Sequence, residues 1–115
     1  MDLELSESAA DGCAVLAVGG EVDVYSSPAF RARMLELLDA DPQLVVDLSG
    51  LAFIDSTGLG VLVAARNRAL ENGGAVAFVC TQDRVLKLLR ITGLDSVFDV
   101  HATVEEAVAG LRAAR

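Results

Sequence analysis

Over its first ten positions the chain sets Leu3 and Leu5 among acidic and hydroxyl residues in DLELSES, a period of two that predicts a half-buried strand. The turn signal Asp11-Gly12 separates it from the apolar run CAVLAVGG, so the two segments predict an antiparallel pair. The period then changes. In SSPAFRARMLELLDADP, Phe30, Met34, Leu37 and Leu38 recur at helical spacing; Ser27 reads as the N-cap, Pro28 as the first helical residue and Asp41-Pro42 as the stop. QLVVDL is short, apolar and rich in β-branched residues, the pattern of a strand covered on both faces. A bridge leads into a second helix through GLGVLVAARNRAL, and ENGG closes it with Gly73 or Gly74 available for a left-handed cap. AVAFVC is another buried strand, and QDRVLKLLRITG is a third helix with Val85, Leu88 and Leu89 on one face. VFDV allows a short strand. Thr103-Val104-Glu105-Glu106 reads as a capping box that opens a fourth helix, with Val104, Ala107, Val108 and Leu111 on its apolar face.

The order β-β-α-β-α-β-α-(β)-α predicts an α/β fold: a single mixed sheet of four to five strands with an N-terminal antiparallel hairpin, covered by about four helices. With 115 residues and no internal repeat, residues 1–115 are expected to form one domain. The hydrophobic fraction is 53%, yet no apolar run nears the ~18 residues that argue for a membrane span. The start is acidic and alternating rather than basic and apolar, so the expectation is a cytoplasmic protein without export.

Charge and chemistry narrow the function. Nine Lys and Arg against 17 Asp and Glu give a net charge of −8, which opposes a nucleic-acid partner, since phosphate binding needs a basic footprint. Cys13 and Cys80 are too few and too far apart for a zinc site or a CxxC redox pair; buried thiols are the simpler reading, with a disulfide left open. GLGVLV has only two glycines of a dinucleotide-binding G-x-G-x-x-G, no G-K-[ST] exists, and Ser56 is not set in G-x-S-x-G. The single histidine, His101, reads as a solvent-facing loop residue, remote from Ser56. The chain is therefore not expected to be an enzyme, and neither metal nor cofactor is expected.

The informative stretch is Asp55-Ser56-Thr57-Gly58-Leu59-Gly60, at the expected junction of a strand and a helix. In open sheets sites gather at the carboxyl ends of strands, and a helix start offers unpaired amides and the positive end of the dipole. Asp55 or Ser56 can cap the helix. A cap does not explain Gly58 and Gly60, each costing about 1 kcal/mol relative to alanine in a helix. Glycine in that position means close approach, either of helix to sheet or of a partner to the helix. A hydroxyl here is suited to being a phosphoacceptor: the helix start tolerates the added charge of about −1.5 to −2, while a partner docked over it does not.

Three segments in order, GGEVDVYSSP, LVVDLSGLAFIDSTGLGVLV and LLRITGLDSVFDVHATVEEAV, resemble the STAS-domain anti-sigma factor antagonists of bacterial partner-switching systems, in particular the actinobacterial type. The resemblance covers essentially the whole chain. It implies that the unphosphorylated protein binds an anti-sigma factor with a serine-kinase ATPase fold and so frees a sigma factor. The kinase, which brings its own Mg-ATP, then phosphorylates the serine that follows Asp, and a PP2C-type phosphatase restores it. By position Ser56 is the implied acceptor, with Thr57 the second choice. Asp55, Thr57, Gly58 and Gly60 surround the acceptor on the implied partner surface, and Asp23 of GEVD is expected beside it. No nucleic acid or membrane partner is implied. The competing reading is a STAS module of another assembly: stressosome-like, a lipid-transport subunit or a nucleotide sensor. A hydrolase using Ser56 with His101 ranks last.

Overall fold

The computed structural model describes residues 2–113. β1 (Glu4–Ala10) and β2 (Cys13–Val22) pair antiparallel, and the loop between them holds Asp11 at φ 50° and Gly12 at φ 82°. Positive φ at both central residues is what a tight two-residue hairpin turn requires. The chain continues through α1 (Ser27–Ala40), β3 (Gln43–Ile54), α2 (Ser56–Glu71), β4 (Ala75–Val79), α3 (Asp83–Ile91), a 3-10 turn (Leu94–Ser96), β5 (Asp99–His101) and α4 (Val104–Ala113). The five strands lie in the order β1-β2-β3-β4-β5, all parallel after the hairpin. This is the mixed sheet with four helices that the sequence pattern predicts.

The helices divide between the two faces of the sheet. Phe30, Met34 and Leu38 of α1, Leu62 and Ala65 of α2, and Val85 and Leu89 of α3 pack on one face, against Leu16, Val18, Leu44, Val46 and Phe78. Ala107, Val108 and Leu111 of α4 cover the other, against Val15, Val45 and Val79. Cys13 belongs to the α4 side and Cys80 to the larger core, both buried and free, which removes the disulfide left open by the sequence. Burial also pushes the Cys80 thiol above its ordinary pKa.

Several boundaries differ from the expected ones, each for a physical reason. α1 begins one residue earlier than expected: Ser27, read as the cap, is the first helical residue and buried, with Pro28 second, and Ser26 in the cap position makes no side-chain cap bond. The preceding turn is instead held by Asp23, described below. His101 lies on β5 rather than in a loop; its ring packs on Gly110 of α4, and Nε2 lies 2.9 Å from Asp99 Oδ1. Thr103 Oγ1 accepts from the Glu106 N–H at 3.1 Å, as a capping box requires, but the Glu106 carboxylate reaches Ala102 N–H. α2 ends in a Schellman arrangement, with Gly73 at φ 82°, Gly73 N–H bonded to Leu70 O and Gly74 N–H to Ala69 O.

The largest difference is in β3, which continues through SGLAFI where a bridge was expected. Its pairing with β4 stops at Asp47 and Val79, whereas its pairing with β2 runs on to Ile54 and Val22. The register slips twice against β2, each time adding a residue to β3, and Asp47 Oδ1 braces the first slip by accepting from Ser49 N–H at 3.0 Å and Ser49 Oγ at 2.6 Å. The side of β3 abandoned by β4 is closed by one side chain. Gln82 Nε2 donates toward the carbonyls of Leu48, Ser49 and Leu51 at 2.6, 2.8 and 3.0 Å, while its Oε1 accepts from Thr81 N–H at 3.1 Å. Gln82→Ala should therefore lower stability by about 1–3 kcal/mol in urea unfolding, the cost of leaving such acceptors unmet. Gln82→Glu, which replaces the donor by another acceptor, should cost more.

Candidate functional site

The extended β3 delivers its carboxyl end level with that of β2. Asp55 N–H donates to Val22 O at 3.2 Å, so the loop after β3 is stitched to the loop after β2. Asp55 and Asp23 consequently occupy corresponding positions on adjacent parallel strands, next to each other along one edge of the sheet. The expected neighbourhood of Asp23, Asp55, Ser56 and Thr57 is thus assembled by the ladder.

Asp55 is the N-cap of α2. Its backbone is extended, φ −102° and ψ −174°, and its Oδ1 accepts from Gly58 N–H at 3.0 Å. Of the two cap candidates in the sequence, the carboxylate takes the position. Ser56 and Thr57 are the first residues of the helix and both are exposed. The helix supplies no acceptor to their N–H groups, so two amides and the positive end of the dipole face solvent beside the Ser56 hydroxyl.

The two glycines separate into different roles. A Cβ on Gly58 would lie 2.6 Å from Ile54 Cγ1 and 2.7 Å from Val22 Cγ1, so Gly58 is buried and lets α2 sit close on the sheet. Its place on the implied partner surface is not supported by this geometry: it faces inward. A Cβ on Gly60 would meet nothing within 4 Å. Gly60 is exposed and, with Thr57, Ser27, Pro28, Arg31 and Val61, lines a shallow groove of about 380 Å³ between α1 and α2.

Asp23 organises the neighbouring loop. Its Oδ1 accepts from Tyr25 and Ser26 N–H at 2.9 Å each, and Ser26 Oγ returns the contact by accepting from Asp23 N–H at 2.9 Å. The bond from Ser26 N–H, opposed by desolvation and joined by that from Tyr25 N–H, holds the Asp23 carboxyl below its ordinary range. Held this way, the loop displays Val24 and Tyr25, the latter 90% exposed. Phe53, 41% exposed, stands on the strand next to it. The sequence pattern did not single out these apolar side chains, which fall between the expected elements: Val24 and Tyr25 ahead of the first helix, and Phe53 in the expected bridge. Among the described residues no three His, Cys, Asp or Glu side chains converge on a position for a metal ion.

Comparison with known proteins places the chain in a family. The STAS domain family model matches residues 7–107. The chain belongs to the STAS domain family. An anti-sigma-B factor antagonist of Bacillus subtilis is 34% identical over 91 residues, which are 79% of this chain and 84% of that protein. The anti-sigma-F factor antagonist RsfB of Mycobacterium tuberculosis is 32% identical over 108 residues, 91% of this chain and 86% of that protein. The crystal structure of an anti-sigma factor antagonist from Mycobacterium paratuberculosis superposes with a TM-score of 0.85 at 27% identity, covering 96% of this chain and 95% of that one. In this STAS domain the sequence DSTG spans the cap and first turn of α2.

Two outcomes test the geometry. Gly60→Ala should stabilise the STAS domain by up to about 1 kcal/mol, whereas Gly58→Ala should destabilise it by about 1–3 kcal/mol through overpacking, both read from urea unfolding. Asp23 should titrate below 3.8 by carboxyl carbon NMR. Because its folded pKa is depressed, its contribution is present above the unfolded pKa and is lost as pH falls through the folded one. The Tyr25 and Ser26 amides should accordingly lose protection only in acid below that value; a midpoint at or above it would remove Asp23 from this role.

Proposed function

We propose that this STAS domain is an anti-sigma factor antagonist: unphosphorylated, it binds an anti-sigma factor with a serine-kinase ATPase fold and releases a sigma factor, and phosphorylation of Ser56 ends that binding. The observation that carries the reading is the exposed Ser56 hydroxyl at the first position of α2, directly after the capping Asp55, on an edge with exposed apolar side chains. The names of the curated relatives support it independently.

The chemistry follows from the site. The Ser56 Oγ attacks the γ-phosphorus of the kinase's Mg-ATP, its proton passes to a base of the kinase, and ADP leaves. The chain supplies the accessible nucleophile and its fixed position; a PP2C-type phosphatase restores the hydroxyl by hydrolysis, transferring the phosphoryl group to water as inorganic phosphate. A phosphate on Ser56 adds about −1.5 to −2 of charge at a helix start whose free amides solvate it, so the domain keeps its fold. A partner covering the same edge loses those amides to the phosphate and must desolvate the new charge. Asp55 and Asp23 stand beside it, adding negative potential to the edge. Thr57 shares the exposed first turn and is the second candidate acceptor.

Incubation with the cognate kinase and Mg-ATP should add one phosphate, placed at Ser56 by mass spectrometry and abolished by Ser56→Ala. Ser56→Asp should weaken binding to the kinase at least tenfold, while its thermal unfolding stays near that of the parent. Phosphate located elsewhere, or undiminished binding by Ser56→Asp, would sink the assignment.

A further inference from the structure

Beyond the phosphoacceptor, the most unusual surface of the molecule lies between the overhanging end of β3 and α3. Phe53 and Ile54 of β3 face Arg84, Val85 and Leu88 of α3 across an apolar cavity of about 150 Å³. An apolar cavity of about that size accepts benzene, so one Leu-, Met- or Phe-sized side chain fits. Leu88 is half-buried, and Ile91, one turn further along the same face, is 71% exposed. Positions 84, 87, 88 and 91 are spaced three, four and seven apart and form one stripe. That stripe therefore alternates a basic flank, Arg84 and Lys87, with an apolar ridge, Leu88 and Ile91.

The charge of the stripe is out of keeping with the rest of the chain. The net charge is −8, yet α3 carries Arg84, Lys87 and Arg90, three of the nine Lys and Arg. Elsewhere Arg33 pairs with Glu7, Arg68 with Asp39 and Arg112 with Asp11, while Arg31 of α1 and Arg66 of α2, like the cations of α3, have no carboxylate partner among the described residues. Among the described residues the three cations of α3 have no carboxylate partner, and the only acid on that helix is Asp83, at its first turn. A basic flank without internal partners beside an apolar slot is complementary to an acidic segment with an apolar anchor.

We infer that the groove between β3 and α3 docks an acidic amphipathic helix of the anti-sigma factor, one large apolar side chain filling the slot at Phe53, Ile54 and Leu88 and its carboxylates meeting Arg84 and Lys87. This rests on the function proposed above and adds to it the chemistry of the partner. It also gives the switch its sign. Ser56 follows Ile54 by two residues, at most about 7 Å of chain, so a phosphate there adds negative charge next to the β3 end of the groove. An acidic segment in the groove is repelled by that phosphate without any change in the groove.

The test measures binding of the full chain to its cognate kinase at 50 and 300 mM salt, comparing the parent with Arg84→Glu/Lys87→Glu. The expected result is at least tenfold weaker binding at low salt, a flattened salt dependence, and an unchanged far-ultraviolet circular dichroism spectrum. Binding within twofold of the parent, with Ser56→Asp still disruptive, overturns the groove while leaving the phosphoswitch standing. If no kinase binds the parent, the functional reading fails on its own. The groove is then judged by titrating the isotopically labelled chain with a synthetic helical peptide of Glu-Glu-Leu-Leu repeats, against a Lys-Lys-Leu-Leu control. Amide shifts confined to residues 84–91 and Phe53, produced by the acidic peptide only, support it; shifts elsewhere, or none, overturn it.

Discussion

The parallel pairing of β2 with β3 beyond the end of β4 is the constraint on which the site depends. From Leu48 to Ile54 the strand has β2 on one side and no strand on the other. Backbone carbonyls left unmet in a partly buried strand are costly. Gln82 meets that cost from the start of α3, tying Leu48, Ser49 and Leu51 to the loop that leaves β4. The overhang can therefore persist as a strand. Its last bond, Asp55 N–H to Val22 O, sets the start of α2 against the loop that precedes α1. One ladder thus positions two aspartates, each holding its own turn, and leaves the Ser56 hydroxyl outside both networks.

Elements with a clear period were legible in the sequence, and so was the mixed sheet with its antiparallel start. The hairpin turn at Asp11-Gly12, the stop at Asp41-Pro42 and the left-handed cap at Gly73 each follow from a residue's own backbone preferences, which act over two or three positions. The end of β3 was not legible, because SGLAFI has neither a steady alternation nor a β-branched run. Its strand conformation comes from β2 and from Gln82, 31 to 34 residues away. The same limit applies to α1. Ser27 has the local signature of a cap, but Asp23, three residues before Ser26, already holds the turn, so the helix starts earlier and Ser27 is buried. His101 read as loop because its strand is only three residues long and its burial depends on Gly110 of α4.

Within DSTGLG the sequence offered a cap, a reaction site and a close approach as competing readings, and the residues divide among them. Asp55 caps, Gly58 allows the approach of helix to sheet, and Ser56 is left exposed. These roles support one another. The inward-facing glycine brings α2 down against Val22 and Ile54, which fixes where the first turn points. The carboxylate cap takes only the Gly58 amide and leaves those of Ser56 and Thr57 without helical acceptors. A first turn held from beneath and unsatisfied on its outer side can receive charge without rearranging.

That rigidity bears on how such a domain could switch. A modification that acts by refolding must overcome a share of the domain's stability, whereas one that acts by changing surface potential needs only a charged counterpart nearby. The edge here offers little that could refold: Ser56 sits on a capped helix, and the neighbouring loop is closed by paired bonds between Asp23 and Ser26. What changes most easily is the potential across Phe53, Ser56 and the basic flank of α3. Arg84 lines the slot beside the β3 overhang, and Asp55 at its end is bonded to the β2 side, where Asp23 follows. Added negative charge at Ser56 opposes the attraction of the basic flank for an acidic partner. The fold thus supplies a fixed support on which a local change in charge is read by whatever docks there.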